Sequence, residues 1–231
     1  MKRAHYEAKT LVAARPRIAL PLARWRGRPA IVGDDTELVI ESYPRCASSF
    51  AVTALRVAQD RQVEIAHHTH APAQIIEAVR RGIPALVLVR EPADAVPSLL
   101  VHSPYLTPAS ALRGFVRFYE PLLPHRSGFV VAHFDTVVSD FGRVVDSVNS
   151  RFGTTFARFE HTEANVARCL ADIDRDFAEK VPDRDRLERM TARPSTTRAA
   201  RKEQLRADYR APSLARLRHR AEAAYDALCP R

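Results

Sequence analysis

Two rhythms of apolar residues run along this chain. From residue 37 on, short β-branched runs are separated by longer segments in which apolar residues recur at three- and four-residue spacing, the mark of strands joined by crossover helices on a parallel sheet. Glu37 to Tyr43 (ELVIESY) reads as the first strand and Ser49 to Asp60 as the helix behind it. Val63 to His68 is a second strand, Ala73 to Gly82 a helix closed by its glycine, and Pro84 to Arg90 (PALVLVR) a third strand. This third strand is apolar throughout, as a strand covered on both faces must be. Pro92 stands near the start of the next helix, where its missing N–H costs nothing. A helix from Pro108 to Leu123, a strand from Gly128 to Phe134 and a long helix from Asp135 to Arg151 follow. Beyond Thr162 the pattern is helical, divided at Pro182, Pro194 and Pro212, with the last helix running to Leu228. The expectation is an α/β fold with a central parallel sheet flanked by helices. Residues 35–231 form the domain, its part from 161 on being helical, and residues 1–34 form a basic N-terminal arm.

The composition narrows the class. With 231 residues, 46% hydrophobic and 27% charged, the chain can bury a core and is not disordered. Its longest aliphatic run, Ile83 to Val89, is far short of the roughly 20 residues that cross a bilayer, so no transmembrane segment is expected. None of the seven glycines falls into G-x-G-x-x-G or G-x-x-x-x-G-K-[ST], which excludes the usual Rossmann and Walker fingerprints. Cys46, Cys169 and Cys229 are far apart and lack a C-x-x-C, which argues against a disulfide framework or zinc cluster and makes a reducing, cytoplasmic location the expectation. The net charge of +9 is concentrated at the ends: residues 1–34 carry +6, residues 195–231 carry +5, and the middle is slightly negative. Such a distribution reads as solvated surface that helps attract an anionic ligand, and no nucleic-acid partner is expected.

Candidate chemistry lies in three loops. Tyr43-Pro44-Arg45-Cys46-Ala47-Ser48-Ser49-Phe50 stands where a strand ends and a helix begins, so its backbone N–H groups and the positive helix end can hold a phosphate or sulfate. Arg45 adds a forked cation, and Ser48 and Ser49 add hydroxyls and plausible N-caps. Cys46 at a helix start could alternatively be a reactive thiol of low pKa. His68-Thr69-His70-Ala71-Pro72 follows the second strand, and Arg90 to Ser98 follows the third. All three segments therefore belong to the carboxyl edge of the sheet, where ligand crevices of open α/β folds form. His67, His68 and His70 have no cysteine or acid at ligand spacing, which argues against a metal.

Taken together these segments resemble the sulfotransferases that use 3′-phosphoadenosine 5′-phosphosulfate, over about residues 37–156 and with a weaker echo near the C-terminus. Tyr43 to Phe50 is similar to the family's Y-P-K-S-G-T-T-W loop for the 5′-phosphosulfate, Thr69-His70-Ala71-Pro72 to its T-H-x-P segment, and Arg90, Pro92, Asp94 and Ser98 to its R-x-P-x-D-x-x-x-S segment for the 3′-phosphate. The resemblance implies a P-loop-type fold and transfer of a sulfuryl group to a hydroxyl acceptor, which could be a sugar, glycolipid or small metabolite. It makes His70 the general base, and gives Arg45 and the N–H groups of Cys46, Ala47, Ser48, Ser49 and Phe50 to the 5′-phosphate. Arg90 and Ser98 would hold the 3′-phosphate, with Arg201 and Lys202 echoing a C-terminal Arg-Lys-Gly run and Arg198 as an alternative. The chain departs from the pattern at Arg45 for Lys, Cys46 for Ser and Ala47 for Gly; a left-handed backbone at Ala47 would cost about 1 to 2 kcal/mol. His133-Phe134-Asp135, where many relatives have Tyr-Glu, is given no role. Two other readings stay open, a nucleotide-dependent kinase on a related fold and a degenerate module that binds a nucleotide or a partner. The oligomeric state is not legible.

Overall fold

The computed structural model describes residues 1–28, 30–180 and 196–229. Four parallel strands, β1 (Leu38–Ser42), β2 (Ile65–His67), β3 (Ala85–Val89) and β4 (Val130–His133), form one sheet in the order β2-β1-β3-β4. Every residue of β1 and β3 is buried, which explains why neither strand alternates. Leu86 and Leu88 are fully buried on one face of the sheet, each burial contributing about 1.5 to 3 kcal/mol.

Crossover helices cover the two faces. On one side α3 (Ser48–Ala58) lies on β1 and β2 and touches α8 (Phe141–Phe152) and α9 (Glu163–Lys180). On the other, α4 (Pro72–Arg81) lies on β1 and β3 beneath α2 (Pro16–Trp25) and a 3₁₀ segment, Glu120–Gly128. The layer continues through α5 (Pro92–His102), α6 (Pro108–Tyr119), α10 (Thr196–Tyr209) and α11 (Ala215–Leu228). Gly82 closes α4 in the left-handed conformation at φ 68°, as its glycine suggests. Among the described residues no helix is long and apolar enough to cross a membrane.

Two expectations are corrected, and the division at Pro212 stands. The helix from Asp135 to Arg151 is two helices, α7 (Phe134–Ser139) and α8, because Asp140 leaves helical space and its carboxylate accepts the Arg143 N–H at 3.1 Å as an N-cap. The helix from Pro108 ends at Tyr119, and the chain goes on as the 3₁₀ segment through Pro121 and Pro124, which carry no N–H for an α-helical ladder. Pro212 opens a 3₁₀ turn, Pro212–Leu214. Pro182 and Pro194 lie outside the described residues.

The basic N-terminal segment is folded onto the body as α1 (Lys2–Val12) and α2. Glu7 takes hydrogen bonds from Arg113 at 2.6 Å and Arg117 at 2.9 Å, and the Tyr6 hydroxyl fills the space that a side chain at Gly114 would need. Lys9 Nζ donates to the Thr69 carbonyl at 2.8 Å, so α1 touches the loop after β2 directly.

Candidate functional site

The strand order puts β1 between β2 and β3, so the chain leaves β1 toward one neighbour and later returns to pair on its other side. A topological switch of this kind opens a crevice at the carboxyl ends of the strands. The loops after β1, β2 and β3 meet there.

The loop after β1 is anchored by aromatic packing. Tyr43 and Tyr119 are fully buried beside Phe115; the Tyr43 hydroxyl donates to Ala111 O at 3.1 Å and the Tyr119 hydroxyl to Leu88 O at 2.8 Å. Beyond this anchor the backbone turns sharply. Arg45 (φ 73°) and Ala47 (φ 67°) are both left-handed, with Cys46 at negative φ between them. Alternating backbone signs of this kind aim successive N–H groups into one concavity that suits an anion. Ala47 is the N-cap of α3 and supplies no side-chain cap. The expectation that Ser48 and Ser49 cap the helix is therefore corrected: they are its first two residues, because the left-handed turn one position earlier puts the cap at Ala47. Ser49 Oγ instead pairs with His68 Nε2 at 3.1 Å. The Phe50 side chain is core, edge-on to Phe141 and Phe159, so only its backbone faces the loop. Burial pushes the Cys46 thiol up to about 12, which removes the reactive-thiol alternative.

Segments far apart in sequence close around this loop. Arg45 Nε reaches Ser98 Oγ at 3.4 Å, and Arg90 Nη1 donates to the Arg45 carbonyl at 3.2 Å. The Arg90 guanidinium lies 3.8 Å from the centroid of the Phe134 ring, and its Nε is buried with no hydrogen-bond partner among the described residues. Asp94, one turn into α5, receives Lys202 at 2.7 Å and Arg206 at 2.6 Å from α10. Burial opposes ionisation of Asp94, but those two bonds and the Arg90 charge outweigh it and hold the carboxyl below its ordinary value. Arg201 does not join this cluster: it is exposed and bonds Gln204 on its own helix at 2.9 Å. The side chain of Arg198 lies outside the described ones.

The third side is built on a buried carboxylate. Glu41, wholly inside β1, accepts from Thr69 N (2.8 Å), Thr69 Oγ1 (2.6 Å), His70 N (3.0 Å) and Gln74 Nε2 (3.3 Å). Burial raises its pKa and these bonds oppose the rise. They hold His70 at φ 50°, from where its Nδ1–H donates to Ser42 O at 2.9 Å. A carbonyl can only accept, so Nδ1 carries the proton and Nε2 the lone pair. Burial, then the neighbouring His68 charge, lowers the His70 pKa to about 3, which keeps the ring neutral in ordinary buffers.

Sequence reasoning missed Glu41, Phe134 and Arg206. An acid inside an otherwise apolar central strand was a signal for Glu41, and the one-turn spacing from Lys202 was a weaker one for Arg206. Phe134 had no signal, since its role depends on β4 lying beside β3. No protein-family model matches this chain, and no curated protein matches it.

Proposed function

We propose that this chain is a sulfotransferase on a P-loop-type α/β fold, moving the sulfuryl group of 3′-phosphoadenosine 5′-phosphosulfate to a hydroxyl acceptor. One observation carries the reading: Arg45 bonds both Arg90 and Ser98, from segments 45 and 53 residues further on, beside a left-handed anion-cradling turn. The donor's chemistry fits these residues. Its two phosphate groups would meet a helix N-terminus on one side and guanidinium donors on the other, and the Arg90 Nε, without a partner among the described residues, is a donor that such an anion can satisfy.

The reaction asks for in-line positioning and for stabilisation of charge on the leaving phosphate. The acceptor oxygen bonds to sulfur as the sulfur–oxygen bond to the 5′-phosphate breaks. Arg45 and the N–H groups at the start of α3 take up the charge left on that phosphate. His70 Nε2 accepts the acceptor's proton, while Ser42 O and Glu41 fix the ring and its tautomer. The products are a sulfate ester and adenosine 3′,5′-bisphosphate. A pKa of about 3 makes His70 a weak base in the ligand-free protein, and the negative charge of bound donor beside it raises that basicity.

Calorimetry with adenosine 3′,5′-bisphosphate, AMP and ATP tests the reading. A 3′-phosphate held by Arg90 and Ser98 gains charge-assisted hydrogen bonds worth about 1.5 to 3 kcal/mol, so the bisphosphate binds about tenfold or more tighter than AMP. Equal affinities would overturn the assignment, and a preference for ATP would point to the kinase reading. Bisphosphate binding without sulfuryl transfer to any hydroxyl acceptor would leave the binding-module reading.

A further inference from the structure

Helix α2 presents two apolar faces. At about 100° per residue, Ala19, Leu20 and Ala23 share one side, and Ala19 and Leu20 are buried against the body. Ile18, Pro21 and Trp25 fall on the opposite side and are exposed, Trp25 by 81%. Arg15 and Arg26 border that stripe on one flank and Arg17 and Arg24 on the other; Arg28 follows the helix. Arg24 also braces the next segment through Val32 O at 2.6 Å. No acidic residue occurs between Glu7 and Asp34, and Glu7 is already shared by Arg113 and Arg117.

An indole belongs where one side is apolar and the other wet, and a stripe of apolar residues between cationic margins matches a negatively charged lipid surface. A protein partner would need counter-charges in a particular register. Helix α2 itself instead carries cations on both flanks of the stripe and no acid, which suits a surface of one sign and no register. We propose that the exposed face of α2 binds an anionic membrane surface, Ile18, Pro21 and Trp25 entering the headgroup region while Arg15, Arg17, Arg26 and Arg28 meet lipid phosphates and carboxylates. None of these residues belongs to the crevice at the strand ends, so the proposal stands or falls separately from the donor reading.

Trp25 is the only tryptophan in the chain, and its emission therefore reports on this face alone. The full-length protein is titrated with vesicles of phosphatidylcholine alone and of phosphatidylcholine with phosphatidylserine at three to one, and vesicle flotation is measured in parallel. The expected result is a blue-shifted, brighter emission and flotation with the anionic vesicles only, both reversed by high salt. Arg17→Glu combined with Arg26→Glu should weaken flotation at least about tenfold, and Trp25→Ala should weaken it several-fold, with circular dichroism unchanged. Failure of the natural protein to bind anionic vesicles would overturn the proposal, as would equal binding to phosphatidylcholine alone. A blue-shifted Trp25 in a lipid-free dimer would show that a second copy covers the face, and would overturn it too.

Discussion

The chain takes the left-handed backbone in two kinds of place, and it fills them differently. At the ends of α4 and α8, where it needs only to turn, it uses Gly82 and Gly153, both at φ 68°. At the carboxyl ends of β1 and β2 it uses Arg45, Ala47, His68 and His70, with φ between 50° and 73°. Such positions cost a residue with a Cβ about 1 to 2 kcal/mol each, and they persist only where the surroundings enforce them. Here the enforcement is visible: Arg90 and Ser98 bind the Arg45 backbone and side chain, and Glu41 binds the backbone on either side of the Thr69–His70 bond. Glycine serves for turning, and strain is accepted where a side chain has work to do. Ala47 is the exception, since it bears the strain without offering a functional group.

The largest effect should come from the strained residue with the most specific task. His70→Ala should lower turnover roughly 100 to 10,000-fold while bisphosphate affinity, read by calorimetry, changes only a few-fold. Full activity in this variant would remove the base and leave the strain at His70 without a purpose. Next in size is Arg90→Ala, which should erase most of the roughly tenfold preference for the bisphosphate over AMP; an intact preference would move the 3′-phosphate elsewhere.

A pH series separates strain from burial at the same histidine. Its folded pKa of about 3 lies below the ordinary histidine value of about 6.5, so between these limits the unfolded chain binds the proton more readily. Stability to urea should therefore fall as pH drops from 7 to 5, and His70→Asn should flatten that slope. Glu41 acts in the opposite sense, because its raised pKa makes the folded state the stronger proton binder. A His70→Asn protein whose stability falls as steeply as that of the natural protein over this range would contradict the His70 environment.

The smallest effects compare the two classes directly. Gly82→Ala adds a Cβ that meets no atom within 4 Å, so only the backbone term is felt. Strain of about 1 to 2 kcal/mol, less about 0.4 to 1 recovered from the unfolded chain, leaves a net loss of about 1 kcal/mol, visible as a drop in melting temperature. Ala47→Gly should raise stability by a similar amount, with nucleotide affinity unchanged or improved. A destabilised Ala47→Gly protein would show that the turn after β1 is not strained as described.

Much of this architecture could be read in the sequence where burial acts uniformly along a segment. PALVLVR is apolar throughout because β3 lies between β1 and β4 with helices on both faces, and its ends fell within a residue or two. The break at Asp140 was hidden because a polar residue on an amphipathic helix looks the same whether it faces solvent or caps a new helix. The loops bearing Arg45, His70 and Arg90 were legible as strand-end segments, since topology alone gathers those ends on one edge. Their partners were not. Lys202 and Arg206 meet Asp94 across more than 100 residues, and only the one-turn spacing between the two sets them apart from the outward-facing Arg201.

The docking of α1 sets a timetable for folding during synthesis. Glu7 waits for Arg113, 106 residues later in the chain, and Lys9 for Thr69, 60 residues later. At about 5 to 20 residues per second, α1 and α2 leave the ribosome several seconds before the surface that holds them has been made. During that interval Tyr6 and the inner face of α2 have no native partner. Helices α1 and α2 are thus fastened only by segments made after them, Thr69 for Lys9 first and the Arg113 and Arg117 pair for Glu7 later.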